Sequence, residues 1–334
     1  MNVLQIDLAD STARTAVEAS SHLGTGFDPS SPFTQEADRH LQVLSDGQMV
    51  ARASLWWTNS PHPGLGVLGH LAIKDGDEAL EASRSLLSAA ESELSKAGCH
   101  TVVGPMDGNT WRSYRLVTWS TPGVPPFVLE PQTPAAYPGF LEAAGWERQA
   151  TYSSSRLALD PPDERARQRV DRLTKRLDRE GVSIRSIDLS DLVGELGRCH
   201  ELAVSAFADN HLYTPLSREE FIGMYQKVSP LLIADFILVA ERNGEVAGLC
   251  FALPDTRNDG YQNLIVKTLA VRPDCRRLGL GFVLTHLVQE AGRLAGFSHA
   301  IHALQFEDND SLKITDRQGG ERIREYALFG KEIG

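Results

Sequence analysis

Apolar and polar positions in the second half of the chain follow two different periods, and each period predicts one kind of element. The runs at 236–253 and 263–271 are rich in β-branched and other apolar residues, which favours strands. Asn243-Gly244 interrupts the first run, and this dipeptide suits the type I′ turn of a tight hairpin. Over 283–294 the apolar residues recur at helical spacing, which predicts an amphipathic helix.

Shorter runs complete an alternation of strands and helices along this half. The predicted strands lie at 183–188, 299–304 and 321–331, and the predicted helices at 191–207, 218–228 and 308–318. Such an alternation is typical of an α/β or α+β domain in which helices cover a sheet.

The first half of the chain contains a second copy of part of this pattern. Residues 71–98 align without gaps on residues 269–296 at a constant offset of 198, and both segments end in Ala-Gly. Each segment is patterned as strand, loop and helix, which predicts an internal duplication of one α/β unit. A highly charged helix with a narrow apolar stripe (Val170, Leu173, Leu177) separates the copies. The predicted divisions are 1–158 for the first domain, 159–180 for a connector helix and 181–334 for the second domain.

Charge and composition narrow the class of protein. The net charge of −11 argues against a nucleic-acid partner, because binding to a phosphate backbone requires a basic face. No apolar run approaches the roughly 20 residues that span a bilayer, and the N-terminus lacks the pattern of a signal peptide. The cysteines show no spacing typical of a metal site, so reduced thiols and a cytoplasmic location are expected; they are Cys99, Cys199, Cys250 and Cys275.

The stretch Val271 to Phe282 (VRPDCRRLGLGF) joins a predicted strand to a predicted helix and is the strongest candidate for chemistry. The first amides of a helix have no intrahelical partner, and the helix dipole adds partial positive charge. Glycines allow an anion to approach such amides closely, and Arg276 and Arg277 add charge. The pattern therefore predicts a phosphate site, although a glycine pair at this position is also typical of a plain tight turn.

Together with the order of elements around it, this stretch resembles the acyl-CoA signature of the GNAT acetyltransferase superfamily, Arg/Gln-x-x-Gly-x-Gly/Ala, as Arg276-x-x-Gly279-x-Gly281. The resemblance covers roughly 150 residues and implies two tandem acyl-CoA N-acyltransferase folds of α/β (α+β) type, each a mixed, largely antiparallel sheet flanked by helices. It implies that the strand pairs with the pantetheine arm of acetyl-CoA and that the loop amides hold the pyrophosphate. The implied binding residues are Leu269, Ala270, Val271, Arg276, Arg277, Leu278, Gly279, Leu280, Gly281 and Asn309.

The corresponding turn of the first copy is acidic. The constant offset places Glu78, Glu81 and Ser83 where the second copy has Arg276, Gly279 and Gly281, and two aspartates precede them. Carboxylates repel a pyrophosphate but stabilise the N-terminus of their own helix. One acyl-CoA site, in the second copy, is therefore expected.

The resemblance implies N-acetyl transfer to an amine, but the residues for the chemistry are less clear. The tyrosine that many members carry seven residues after the motif asparagine is replaced here by Asp316, and Tyr261 and Tyr326 are alternatives. His211 and Tyr213 lie in the helix–helix connection that often shapes the acceptor pocket of the family. An acyl-CoA sensor without catalysis, and an unrelated phosphate-binding protein, remain alternatives. The expected acceptor is a small-molecule or peptide amine, no metal or membrane partner is expected, and the duplication favours a monomer.

Overall fold

The protein is described by a computed structural model that covers residues 1–11, 14, 15, 23, 27–258 and 262–334. Its contacts divide the chain into two compact units. Unit 1 contains residues 1–119, 131–151 and 326–334, and unit 2 contains residues 120–130 and 152–325. The domain bounds predicted from the repeat in the sequence, 1–158 and 181–334 with a connector helix between them, stay a prediction.

Unit 1 is built from antiparallel strands and one parallel pair. Its strands follow the order β1-β2-β3-β4-β5-β13, and β4 and β5 are parallel to each other. The bounds are β1 Asn2–Ile6, α1 Pro32–Gln35, β2 Arg39–Ser45, β3 Gln48–Trp56, β4 Leu65–Ile73, α2 Ala79–Lys96, β5 Thr101–Gly104, β6 Leu116–Ser120, α3 Tyr137–Ala143, and the parts of β7 Glu147–Ala158 and β13 Glu321–Glu332 that belong to this unit.

Unit 2 repeats this arrangement with the order β7-β12-β11-β10-β9-β8, in which β11 and β12 form the parallel pair. The bounds are α4 Glu164–Arg179, β8 Val182–Ser186, α5 Leu192–Phe207, α6 Arg218–Gln226, β9 Ile237–Arg242, β10 Glu245–Pro254, β11 Asn263–Val271, α7 Leu280–Leu294, β12 His299–Phe306 and α8 Asp310–Arg317. Short 3₁₀ turns lie at Leu189–Asp191, Ser229–Leu231, Ala234–Phe236 and Pro273–Leu278.

The two units therefore share one plan, a mixed and largely antiparallel sheet flanked by helices, as the sequence predicts. In each unit a long helix connects the two parallel strands: α2 connects β4 to β5, and α7 connects β11 to β12. A parallel pair requires such a crossover, because a tight turn can join only antiparallel strands. Each crossover helix buries one apolar face against its own sheet.

Several local predictions are confirmed in detail. Asn243 and Gly244 have φ values of 56° and 81°, the positive values that a type I′ turn requires at both central positions. The charged helix α4 forms, and its Asp171 pairs with Lys175 over 2.7 Å. Asp163 accepts a hydrogen bond from the amide of Ala166 and so caps this helix. By its contacts α4 belongs to unit 2, where Leu177 is buried in the core beside α7.

Candidate active site

The centre of unit 2 is an opening between two parallel strands. Pairing of β11 with β12 ends at Val266 and His302, although β11 continues to Val271 and β12 to Phe306. On its other side β11 stays paired with β10 as far as Val271. Residues 267–271, which include Leu269 and Ala270, therefore present one edge of β11 backbone that does not pair with β12. Such an edge can accept an extended ligand as an additional strand.

A bulge in β11 lies where the opening begins. Phe251 of β10 faces Thr268 and Ala252 faces Val266, so Lys267 is an extra residue on β11. The hydroxyl of Tyr225, from α6, shares a hydrogen bond with the Thr268 side chain, and burial raises the pKa of this phenol to about 12. A phenol with such a pKa keeps its proton at neutral pH and can donate it.

The N-terminus of α7 has the geometry of an anion site. Gly279 is the N-cap residue, adopts a left-handed conformation with φ of 86°, and offers no side chain to the first amides of the helix. Gly281 lies in the first turn, and a Cβ added there would be 3.3 Å from Cδ1 of Ile314 and 3.5 Å from Cδ2 of Leu269. Both glycines thus keep side-chain atoms away from the amides, which favours the approach of a phosphate.

The arginines of the loop differ in their roles. Arg276 is exposed, and its Nη2 donates a hydrogen bond to the carbonyl oxygen of Ala206 over 2.9 Å, which links the loop to the end of α5. Arg277 is exposed beside it, whereas Leu278 and Leu280 are buried in the core beneath the helix. The loop therefore carries charge at its surface and is anchored by apolar side chains below.

A pocket of about 370 Å³ lies beside this loop within unit 2. Phe282, the residue after Gly281, lines it, and the guanidinium carbon of Arg169 lies 4.3 Å from the centroid of the Phe282 ring. Arg165 and Arg317 also line the pocket. Among the described residues, neither Arg165 nor Arg317 forms an ion pair, although the carboxylates of Asp160, Asp163 and Glu290 also line the pocket.

A buried polar network holds α7 and α8 against β12 at the end of the paired region. Nδ1 of His302 donates to Oγ1 of Thr315 over 2.7 Å, and Nε2 of the same ring accepts from Gln289 over 2.8 Å. Gln289 also donates to Oε1 of Gln318 over 3.1 Å. Burial lowers the pKa of His302 to about 4, so the ring is neutral at neutral pH and satisfies both partners.

Three further residues that the sequence predicts for binding lie near the ends of β12, α5 and α8. Asn309 is exposed, and its side chain accepts a hydrogen bond from the amide of Ser311, which makes it the N-cap of α8. His211 is exposed and stacks on Phe306 with 6.0 Å between ring centroids, so it lies at the open end of β12. Tyr213 packs edge-on against Phe207, and burial raises the pKa of its phenol.

The structure describes two of the three catalytic candidates, and these two belong to different units. Asp316 is exposed on α8. Tyr326 is fully buried and belongs to unit 1, whereas the loop belongs to unit 2. Tyr261 lies outside the described residues. The roles assigned to these side chains stay predictions.

Sequence patterns missed the two features that the structure adds. Tyr225 lies within the helix predicted at 218–228 without any further signal, and its place opposite β11 depends on how α6 packs. His302 lies within the strand predicted at 299–304, and only the fold shows that it bonds to Thr315 and Gln289 and, through Gln289, is linked to Gln318. The spacing of Gln289 and Gln318 from His302 carries no local signal.

The turn of unit 1 that corresponds to the loop is closed differently. Glu78 occupies the N-cap position of α2 in a right-handed conformation, and Glu81 lies in the first turn. Both carboxylates are exposed, as are Asp75 and Asp77. Ser83 is fully buried, and its hydroxyl donates to the carbonyl oxygen of Leu80. This helix start has negative side chains where unit 2 has bare amides.

Two general features bear on the class of site. Within the part of the chain that the structure describes, no three His, Cys, Asp or Glu side chains are arranged to hold a metal ion. In the same part of the chain, none of the helices has the length and apolar content required to cross a bilayer.

Comparison with known proteins agrees with this geometry. Residues 200–314 match the sequence model of the Acetyltransferase (GNAT) family. A bacterial ceramide synthase from Caulobacter vibrioides (strain NA1000 / CB15N) is 26% identical over 242 residues, which cover 71% of this chain and 62% of that protein. The match thus spans less than two thirds of the length of that relative.

Solved structures resemble the whole chain. A GCN5-related N-acetyltransferase from Sphaerobacter thermophilus superposes with a TM-score of 0.53 at 13% identity, covering 99% of this chain and 95% of its own. A tandem GNAT protein from the clavulanic acid biosynthesis pathway superposes with a TM-score of 0.53 at 15% identity, covering 100% and 98%. At such identities these structures establish the fold, which is the one expected for the family whose sequence model matches residues 200–314.

Proposed function

We propose that the protein is an N-acyltransferase that binds an acyl-CoA in unit 2 and transfers its acyl group, in the simplest case acetyl, to an amine. One observation carries the proposal: the unpaired edge of β11 leads directly into the uncapped, glycine-lined N-terminus of α7. An extended polar arm that ends in a pyrophosphate matches this combination, because strand-like pairing and an anion site lie in sequence.

The residues present fit such a donor, which supplies a thioester carbonyl activated for attack by an amine. The edge of β11 at 267–271 would bind the amide-containing arm, and the amides that follow Gly279 would bind the phosphates. Arg276 and Arg277 add charge at the surface of the loop. Arg165 and Arg169 in the neighbouring pocket supply positive charge for a further phosphate.

Proton transfer needs a group near the opening, and Tyr225 is the phenol that the structure offers there. Its pKa of about 12 keeps it protonated, so in the proposal it donates a proton to the departing thiolate. His211 stacks on Phe306 at the end of β12, and in the proposal the amine acceptor binds near it. The acceptor, whether a small molecule or a peptide, and a monomeric state both belong to the proposal.

The alternative is a protein that binds acyl-CoA without transferring the acyl group. The exposure of Asp316, at the position where many members of the family have a tyrosine, favours this alternative. One relative is named a ceramide synthase, so long-chain acyl donors have to be tested together with acetyl-CoA.

Release of free thiol from acetyl-CoA and palmitoyl-CoA, followed with a panel of small-molecule, sphingoid and peptide amines, tests the proposal. Transfer predicts thiol release that depends on one class of amine, together with the mass of the acylated product. Tight binding of both donors without amine-dependent thiol release would favour the sensor. No binding of either donor would overturn both readings.

A further inference from the structure

Unit 1 buries a group of polar side chains on one face of its sheet. Arg52, Ser54 and Trp56 alternate along β3 and point to one side, with His40 of β2 and His70 of β4 beside them. We call these five residues the β3 polar face. The alternate positions of the same strand, Ala51, Ala53 and Leu55, belong to the apolar core that α2 covers.

The fold does not require polar groups at this place. The equivalent central strand of unit 2, β10, buries only apolar side chains over residues 249–253. The same sheet arrangement therefore has an apolar central strand in unit 2 and a central strand with a buried charge in unit 1. An ion buried without a partner destabilises the folded state, and a binding function is one reason for a protein to retain it.

Arg52 is the charged member of this face. It is 4% exposed, and Nε has no hydrogen-bond partner. Among the described residues no carboxylate lies within ion-pair distance of it, and its guanidinium carbon lies 5.0 Å from the centroid of the Phe27 ring. Burial lowers the pKa of this guanidinium. Asp107 interacts electrostatically with this guanidinium, but within the described ranges it forms no ion pair with Arg52, so the buried cation has no direct carboxylate partner there.

The other members of the face are either neutral or also in need of a partner. Ser54 bridges the two histidines, with 2.8 Å from its Oγ to Nδ1 of His40 and 2.9 Å to Nδ1 of His70. Burial lowers the pKa values of these histidines to about 4 and about 3, so both are neutral. The indole Nε1 of Trp56 is buried without a hydrogen-bond partner.

Aromatic rings line the path from the guanidinium to this indole. The Phe27 ring, which lies over Arg52, is 5.1 Å from the His70 ring, and the His70 ring is 5.2 Å from that of Trp56. Gly108 borders the indole, and a Cβ added there would lie 3.3 Å from Nε1. Aromatic rings therefore lie between the two N–H donors that have no hydrogen-bond partner, Nε of Arg52 and Nε1 of Trp56.

We propose that the β3 polar face binds a small organic acid, whose carboxylate pairs with Arg52 and whose apolar body lies against Phe27 and Trp56. A single negative charge fits better than a phosphate dianion, because Arg52 is the one unpaired cation of the face. Asp107, which accepts the amide hydrogen of His70 over 2.6 Å, would repel a second charge. This site is separate from the proposed acyl-CoA site, and its existence does not depend on acyl transfer.

Titration of the ¹⁵N-labelled protein with 3-phenylpropionate tests the site through the indole N–H resonance of Trp56, assigned with Trp56→Phe. The proposal predicts a saturable shift with the acid and a much weaker one with 3-phenylpropanamide, which has the same body without the charge. An absent shift, or an equal response to the amide, would overturn it.

Two arginine variants complete the test. Arg52→Met should weaken binding of 3-phenylpropionate by roughly 30-fold or more and should keep or raise Tm, because an unpaired buried charge is removed. Arg148→Met, which replaces an exposed arginine of unit 1, should leave both unchanged. Unchanged binding of 3-phenylpropionate in Arg52→Met would overturn the proposal. A lowered Tm of Arg52→Met, together with no shift of the Trp56 indole resonance in the wild type, would overturn it as well.

Discussion

The turn before the crossover helix exists twice in this chain. The two versions differ in the side chains that lie beside the first amides of the helix, which have no intrahelical partner. In unit 2 the helix starts at a left-handed glycine with no capping side chain, and arginines stand beside it. In unit 1 the helix starts at Glu78, with Glu81 in the first turn. The helix N-terminus of unit 2 can thus accept an anion from a ligand, whereas in unit 1 the glutamates of the chain itself supply the negative charge. The comparison shows that the fold makes the site possible, whereas a few side chains decide whether it is open.

Transferring the acidic version of the turn into unit 2 should have the largest effect. Gly279→Glu places a carboxylate where unit 1 has Glu81, and we expect binding of acetyl-CoA to fall by at least roughly 100-fold because the charge faces the phosphates. Gly279→Gln shares the strain at φ of 86° without the charge, so it should bind more tightly than Gly279→Glu. Glu81→Gly is the matched change in unit 1 and should leave binding unaltered. Equal affinities of the Glu and Gln variants would show that charge is not the cause.

Removing the phenol of Tyr225, which lies next to β11, separates an effect on acyl transfer from an effect on acetyl-CoA binding. Tyr225→Phe should lower the rate of acyl transfer by about 100-fold, as expected for loss of a proton donor, while the Kd for acetyl-CoA stays the same. Tyr137→Phe, a change of a buried tyrosine in unit 1, should leave the rate unchanged. A Tyr225→Phe protein with the full rate would remove this residue from the mechanism.

The two units should also respond differently to acid. His302 has a pKa of about 4 in the folded protein against about 6.5 in an unfolded chain, so between these values the unfolded state binds more protons. The stabilisation is complete above about pH 6.5 and is lost as the pH falls toward 4, which amounts to roughly 3 kcal/mol for such a shift. In unit 1 His40 and His70 act in the same direction, whereas Asp107, whose pKa burial raises to about 6, acts against them.

Amide exchange in α7 and α8, measured from pH 7 to pH 4, checks this prediction. Protection should decrease with pH in the wild type, because a protonated His302 would direct an N–H at the amide nitrogen of Gln289. His302→Gln should remove most of this pH dependence, whereas a change of the exposed His62 to Gln should retain it. A His302 ring that titrates near 6.5 by NMR would contradict the account.

The smallest expected effect concerns the acidic turn itself. Glu78→Gln and Glu81→Gln should each destabilise unit 1 by about 0.3–1 kcal/mol in urea unfolding, because each carboxylate interacts favourably with the α2 dipole. The pair should not create affinity for acetyl-CoA, since Ser83 stays buried in place of the second glycine. Higher stability of the two variants would contradict the idea that the acids replace a ligand.

Sequence patterns predict the parts of this protein that local spacing determines. The Asn243-Gly244 hairpin, strand β11 and helix α7 follow from periodicity and turn chemistry, and the constant offset of 198 residues predicts the repeated plan. The strand opening after Val266 follows only from the resemblance, because periodicity does not tell where two parallel strands separate.

Other features depend on contacts between distant parts of the chain and were not predictable. The structure groups residues 326–334 with unit 1 and residues 120–130 with unit 2, although local patterning gives no sign of either. Arg52 reads as one polar position within an alternating strand, and its burial depends on what covers that face. The hydrogen bond between Tyr225 and Thr268 joins residues 43 positions apart in the sequence.

The stoichiometry of acetyl-CoA binding, measured by isothermal titration calorimetry, tests the central comparison most directly. The account predicts one site per chain, abolished by Gly279→Glu and retained in Glu81→Gly. Two sites per chain, or binding that survives Gly279→Glu, would contradict the claim that unit 2 holds the single open version of the turn.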